Sequence, residues 1–208
     1  MNPTRLAPSL FWLLLAATAA CGVGIGLLTD TPSLAEGGPV EGASAFGLFA
    51  VAVAFAAVAH ERLASLWAIA AILVLLAMRE LDWDKAFLQE GVFQLRLYSG
   101  DAPAAHKVIG AAVVACVAAV LWRLARLAPS WFAALRQGRL WAISLAAGLV
   151  LVAVAKSLDG IGRKLAPLGI RVPEAMGARA SAAEEILELM FVISIALAVT
   201  AWAANPEE

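Results

Sequence analysis

Histidine, cysteine and charge are all scarce in this chain, and each shortage closes off a class of function. Only two histidines, His60 and His106, occur among its 208 residues. Bis-histidine haem needs two imidazoles at one depth, and the topology derived below puts these two on opposite sides. The two cysteines, Cys21 and Cys116, sit apart inside apolar runs and form no CxxC pair. That spacing argues against a disulfide framework, a redox dithiol and a thiolate zinc site. There is no HExxH, GxSxG, Walker loop or EF-hand. The glycine-rich "GVGIG" at 22–26 interrupts an apolar run and follows no strand, so it is no dinucleotide fingerprint. Haem, nucleotide and nucleic acid are therefore not expected. Charged residues make up only 15% of the chain, too few to cover the surface of a water-soluble domain.

What the chain has in abundance is apolar sequence, 62% of all residues. It falls into six runs long enough to cross a hydrocarbon core of about 30 Å. They cover roughly 8–28, 42–60, 64–80, 106–124, 140–158 and 184–204. The expected fold is all-α: a polytopic membrane bundle of about six transmembrane helices forming one integral membrane domain over 1–208. The short "HERLA" link joins the second and third runs. No internal repeat of the kind that marks many transporters stands out. At the N-terminus, "TAAC" ending at Cys21 hints at a lipoprotein cleavage site. The apolar run continues past it, however, and is longer than a signal h-region. A first membrane helix is expected, with Gly22 and Gly26 as a helix-packing pair. The alanine-rich composition points to a GC-rich bacterial genome.

Orientation follows from the distribution of arginine. The link between the fourth and fifth runs carries Arg123, Arg126, Arg136 and Arg139 with no acid, which marks it as cytoplasmic. Both termini and the "HERLA" link then also lie inside. On that topology the inner side holds six basic residues against three acids, and the outer side nine against thirteen. Trp12, Trp67, Trp122, Trp131, Trp141 and Trp202 all fall near the inner interface, where amphipathic rings anchor. The expected location is a bacterial inner membrane, with the lipid bilayer as immediate partner.

The outer helix ends are rich in acids, and three stretches bear chemistry. In "RELDWDK" (79–85), Glu80 and Asp84 share a face if the helix continues, and Arg79 can reach Asp82 at i,i+3. In "AKSLDGIGRKL" (155–165), Lys156, Asp159 and Arg163 fall on one helical stripe. Lys156 lies within the apolar span, where a charge is costly and needs a partner such as Asp159. Gly160 and Gly162 permit a break there. In "SAAEEILELMF" (181–191), Ser181 and Glu184 fit a capping box and Glu185 suits the helix dipole. Glu188 lies one turn deeper and has no such local explanation. An embedded carboxylate must be protonated, paired or metal-bound.

The expected site is thus Glu80, Asp82, Asp84, Asp159 and Glu188, balanced by Lys156 and Arg163, with Glu41, His106 and Glu184 as secondary members. A carboxylate-rich set favours a hard cation such as Ca²⁺, Mg²⁺ or Mn²⁺ over zinc or copper. Glu80, Asp84 and Glu188 are the expected ligands. The segment 87–108 mixes Phe87, Phe93, Leu95 and Leu97 with polar residues, as an interfacial segment on the outer leaflet would.

The motifs "EGGPVEGASAFGLF", "RELDWDKAF", "KSLDGIGRKL" and "EEILEL" span most of the chain. In combination the chain resembles bacterial multi-pass inner-membrane proteins, a likeness that implies a location and a helical fold but no activity. Alkaline ceramidases and similar membrane hydrolases build their metal site from several histidines, which this chain lacks. Three roles remain compatible with the residues. A binding or accessory membrane protein leads, followed by a metal-assisted lipid head-group hydrolase or transferase and a proton- or cation-coupled transporter.

Overall fold

The computed structural model describes residues 38–88 and 91–204. The expected span 8–28, with Cys21 and the Gly22/Gly26 pair, lies outside the described residues. Every regular element among the described residues is helical, and five helices are long and apolar enough to cross a membrane.

Helix α1, Pro39–Val58, starts with proline at its first position and Glu41 in its first turn. The missing proline N–H costs nothing there, and the carboxylate sits at the positive end of the helix dipole. A 3₁₀ turn over His60–Arg62 separates α1 from α2, Leu63–Glu80, so the "HERLA" link does divide two helices. Helix α2 stops because Asp82 adopts a left-handed conformation, φ 47°, which aspartate tolerates better than most residues. Two short helices follow, α3 (Trp83–Leu88) and α4 (Leu95–Ser99). Glu80 and Asp84 therefore do not share one continuous helix face, as the sequence had suggested.

Helix α5, Ala104–Arg136, and α6, Leu140–Leu158, are joined by only three residues. Gly138, at φ 72°, closes α5: its N–H bonds to Leu135 O, and Arg139 N–H bonds to Ala134 O. These two hydrogen bonds are the pattern of a Schellman end. At its far end α6 stops at Asp159 and Gly160, whose φ is 54°. A short α7, Ile161–Leu165, and a 3₁₀ turn over Ala166–Leu168 lead to α8, Glu174–Ala204.

Two boundaries differ from expectation. Helix α5 runs on through 125–136, the stretch read as a loop, and α8 begins ten residues before 184. Ser181 and Glu184 therefore lie inside α8, and no capping box forms. The Lys156–Asp159–Arg163 stripe is also broken, because Gly160 ends α6 before Arg163.

The chain divides into two compact units. The first is Leu48–Trp131; the second holds, of the described residues, 38–47 and 132–204. In the first, Leu88, Val92 and Leu97 form a small core with Tyr98, Ala102 and Val113. The Tyr98 hydroxyl donates to Val92 O at 2.7 Å. Gly110 of α5 lets this core approach closely, since a Cβ there would meet Leu97 Cδ2 at 2.7 Å. Phe87, Phe93 and Leu95 are exposed, whereas Leu97, the fourth apolar residue of the segment expected to lie at the interface, is buried in this core.

In the second unit α6 and α8 pack along each other through small residues. Ala142, Ala146, Ala147, Leu151 and Ala155 are buried on α6; Ala183, Leu187, Phe191, Ile195 and Ala198 are buried on α8. Gly148 sits against Phe191, Ser194 and Ile195, all within 3.4 Å of where its Cβ would be. Small residues allow this approach where lipid offers no hydrophobic drive between helices. Meanwhile Val53, Val108, Leu121, Leu149, Ile193 and Leu197 are exposed, which suits a surface facing hydrocarbon.

Candidate functional site

The close packing of α6 on α8 carries three ionisable side chains into one centre. Lys156 occupies the last turn of α6, and Glu184 and Glu188 lie one turn apart on α8. The Lys156 ammonium donates to Glu184 Oε1 at 2.9 Å and makes a still closer ion pair with Glu188 Oε1. The side chains are only 31%, 12% and 8% exposed respectively, so little water shields them. Two carboxylates at i,i+4 repel when nothing lies between them. Here the ammonium supplies the opposite charge, and each carboxylate in turn offsets the cost of holding Lys156 within an apolar helix.

The neighbouring turn is shaped around this centre. Lys164 donates to the Lys156 carbonyl oxygen at 2.6 Å, placing a cation at the negative end of α6. Arg163 pairs with Asp159 at 3.7 Å and folds over Gly160, where a Cβ would lie 2.6 Å from Arg163 Nη2. Asp159 thus takes Arg163 as its partner and leaves Lys156 to α8. Its side chain is 42% exposed, so water weakens this pair far more than the Lys156 pairs.

The other expected members are distributed differently. Glu80 and Asp82 belong to the Leu48–Trp131 unit, and the Asp84 side chain lies outside the described residues. Asp82 pairs with Lys85 at 2.6 Å, and Arg79 lies 4.0 Å from Glu80. The expected Arg79–Asp82 pair is replaced because Asp82 has already turned out of the helix. His106 is half-buried in the first turn of α5, and Glu41 is half-buried in the first turn of α1.

From the sequence alone Glu184 has the look of a helix cap and is only a secondary member of the expected site. Its position four residues before Glu188 was the available signal for a shared face. Glu185 is buried as well, at 6% exposure, and was read only as a dipole partner. Ser44, on α1, is 1% exposed, and its hydroxyl has no hydrogen-bond partner among the described residues. No sequence signal singled it out.

Among the described residues no three His, Cys, Asp or Glu side chains group so as to hold a metal ion. Calcium takes six to eight oxygen ligands and magnesium a full octahedron. The space between Glu184 and Glu188 is instead filled by the Lys156 ammonium. Such an arrangement can hold a positive charge, exchange a proton, or tie two helices together. The chain matches no protein-family model, no curated protein and no solved structure.

Proposed function

We propose that this is a multi-pass membrane protein with a binding or accessory role, whose working centre is the half-buried Lys156–Glu184–Glu188 cluster. The observation that carries the reading is the convergence of two carboxylates, one buried and one half-buried, on one ammonium. With both carboxylates ionised, these three groups sum to one negative charge. The centre is therefore suited to a cationic group, and at rest Lys156 supplies that group from within the chain. The arginine distribution supports placing this end of α6 and α8 on the outer face of a bacterial inner membrane, with both termini cytoplasmic. The Arg123 guanidinium donates to Ser65 O at 2.8 Å. This agrees with the assignment of the "HERLA" turn and the Arg123 region to the same side.

A second reading, proton- or cation-coupled transport, is favoured by one feature. Lys156 and Glu188 are exchangeable charges at the edge of long apolar helices, the place where relays are found. A divalent site requires the ammonium to leave.

The test is elemental analysis of detergent-purified protein dialysed against Ca²⁺, Mg²⁺ and Mn²⁺, comparing wild type, Lys156→Met and Lys156→Met with Glu188→Gln. The proposal expects little metal in the wild type, metal retained once Lys156 is removed, and metal lost again in the double variant. Near-stoichiometric metal in the wild type would overturn the built-in ammonium and restore a divalent site. No metal in any sample would leave the cluster as a structural tie between helices.

A further inference from the structure

From Ala102 to Leu158 the chain has no acidic residue, and the end of α5 within that stretch meets the start of α2. Arg123 reaches across to Ser65 O at 2.8 Å, so Arg62, Arg123 and Arg126 gather at one end of the Leu48–Trp131 unit. Arg62 and Arg126 are exposed, and so are two tryptophans of the same region, Trp67 at 39% and Trp122 at 70%. Trp122 precedes Arg126 by one helical turn. Among the described residues the acid at this end is Glu61, which lies 3.9 Å from His60.

Helix α5 is 33 residues long, or about 50 Å at 1.5 Å per residue. That exceeds the hydrocarbon thickness of about 30 Å, so one end emerges into the headgroup layer. Pro129 shows which end. It lacks an N–H, so the helix bond it would have given to the Ala125 carbonyl is missing. A freed carbonyl is satisfied directly by water in the headgroup zone, whereas in hydrocarbon it needs a neighbouring helix or side chain. Trp122 then stands at the boundary, with Arg126 one turn beyond it among the phosphates.

We propose that Arg62, Arg123 and Arg126, flanked by Trp67 and Trp122, form a binding surface for the phosphate of anionic phospholipids. Guanidinium groups match phosphate oxygens with paired donors, and the tryptophan rings suit the zone between headgroup and chain. Arg123 is committed to Ser65 and acts mainly as the strut that brings α5 to α2. Arg126 makes no contact with a protein acid among the described residues and is the principal lipid contact.

The experiment reconstitutes the full chain in phosphatidylcholine containing trace spin-labelled phosphatidylglycerol or spin-labelled phosphatidylcholine. The selectivity of the motionally restricted lipid is read by electron paramagnetic resonance. The wild type should prefer phosphatidylglycerol. Arg62→Gln with Arg126→Gln should lower that preference by up to roughly fivefold per arginine at low salt. Both residues are exposed, so the fold survives, and circular dichroism checks it. Arg171→Gln, an exposed arginine in the other unit, controls for net charge and should change nothing. No preference in the wild type, or an equal loss in Arg171→Gln, would overturn the surface. Abolition of the preference by inorganic phosphate at constant ionic strength would assign the site to a free anion and overturn the lipid.

Discussion

Lys156 is the residue on which most of the buried charge depends. Replacing it with methionine leaves Glu184 and Glu188 facing each other with no cation between them. Breaking one side of a fully buried pair costs about 3–5 kcal/mol, and solvent at the 31% exposed ammonium reduces that cost, so Lys156→Met should lower the thermal midpoint in detergent measurably. Glu188→Gln should lower it much less, because Glu184 still neutralises the ammonium. An equal loss in both variants would mean that the carboxylates do not share the lysine. Gly160 gives a second residue-scale prediction. Its φ of 54° favours glycine, and Arg163 fills the space beside it. Gly160→Ala should cost about 1 kcal/mol, visible as a shift of the same midpoint. That Glu188 needs a partner could be read from the sequence, because a carboxylate one turn inside an apolar run has no cheap explanation. That Lys156 would choose α8 over Asp159 could not. That choice depends on Gly160 ending the helix and sending Arg163 back to Asp159, a tertiary outcome of one left-handed residue.

At the scale of helices, hydropathy marks the part of a helix that suits lipid and not where the helix stops. The apolar window 140–158 coincides with α6 because Gly138 and Gly160 bound it. By contrast α5 overruns its window to Arg136, since no residue between 125 and 136 other than Pro129 opposes a helix. Similarly α8 starts at Glu174, right after Pro173, because "EAMGARASAA" is rich in good helix formers. The same helices supply a packing prediction. Gly148 faces Phe191, Ser194 and Ile195, where even a Cβ would sit tightly at 3.2–3.4 Å. Gly148→Leu should force α6 from α8 and cost about 1–3 kcal/mol, whereas Leu149, exposed beside it, should accept alanine with little change. Thermal unfolding of the two variants side by side decides this. A Gly148→Leu protein as stable as the wild type would contradict the close helix contact.

For the whole molecule the sequence carried the class of fold and five of its spans, because length and apolarity are properties of single segments. It did not carry the division of the acidic residues. Glu80 and Asp82 belong to one compact unit, and Asp159, Glu184 and Glu188 to the other, a partition set by which helices pack. The proposed orientation predicts that a tag inserted after Gly38 is reached by impermeant reagents from outside intact cells. A tag after Gly138 should be reached only once the membrane is opened. The reverse pattern would move the Lys156 centre to the cytoplasmic face. One further property of α5 gives this arrangement a ruler of its own. Cys116 is exposed on that helix, about 9 Å along the axis from Trp122 and about 18 Å from Ala104. With Cys21 replaced by serine, a nitroxide on this native thiol becomes a depth gauge. Dissolved oxygen, which concentrates in the acyl chains, should relax it strongly, while a water-soluble nickel chelate should scarcely reach it.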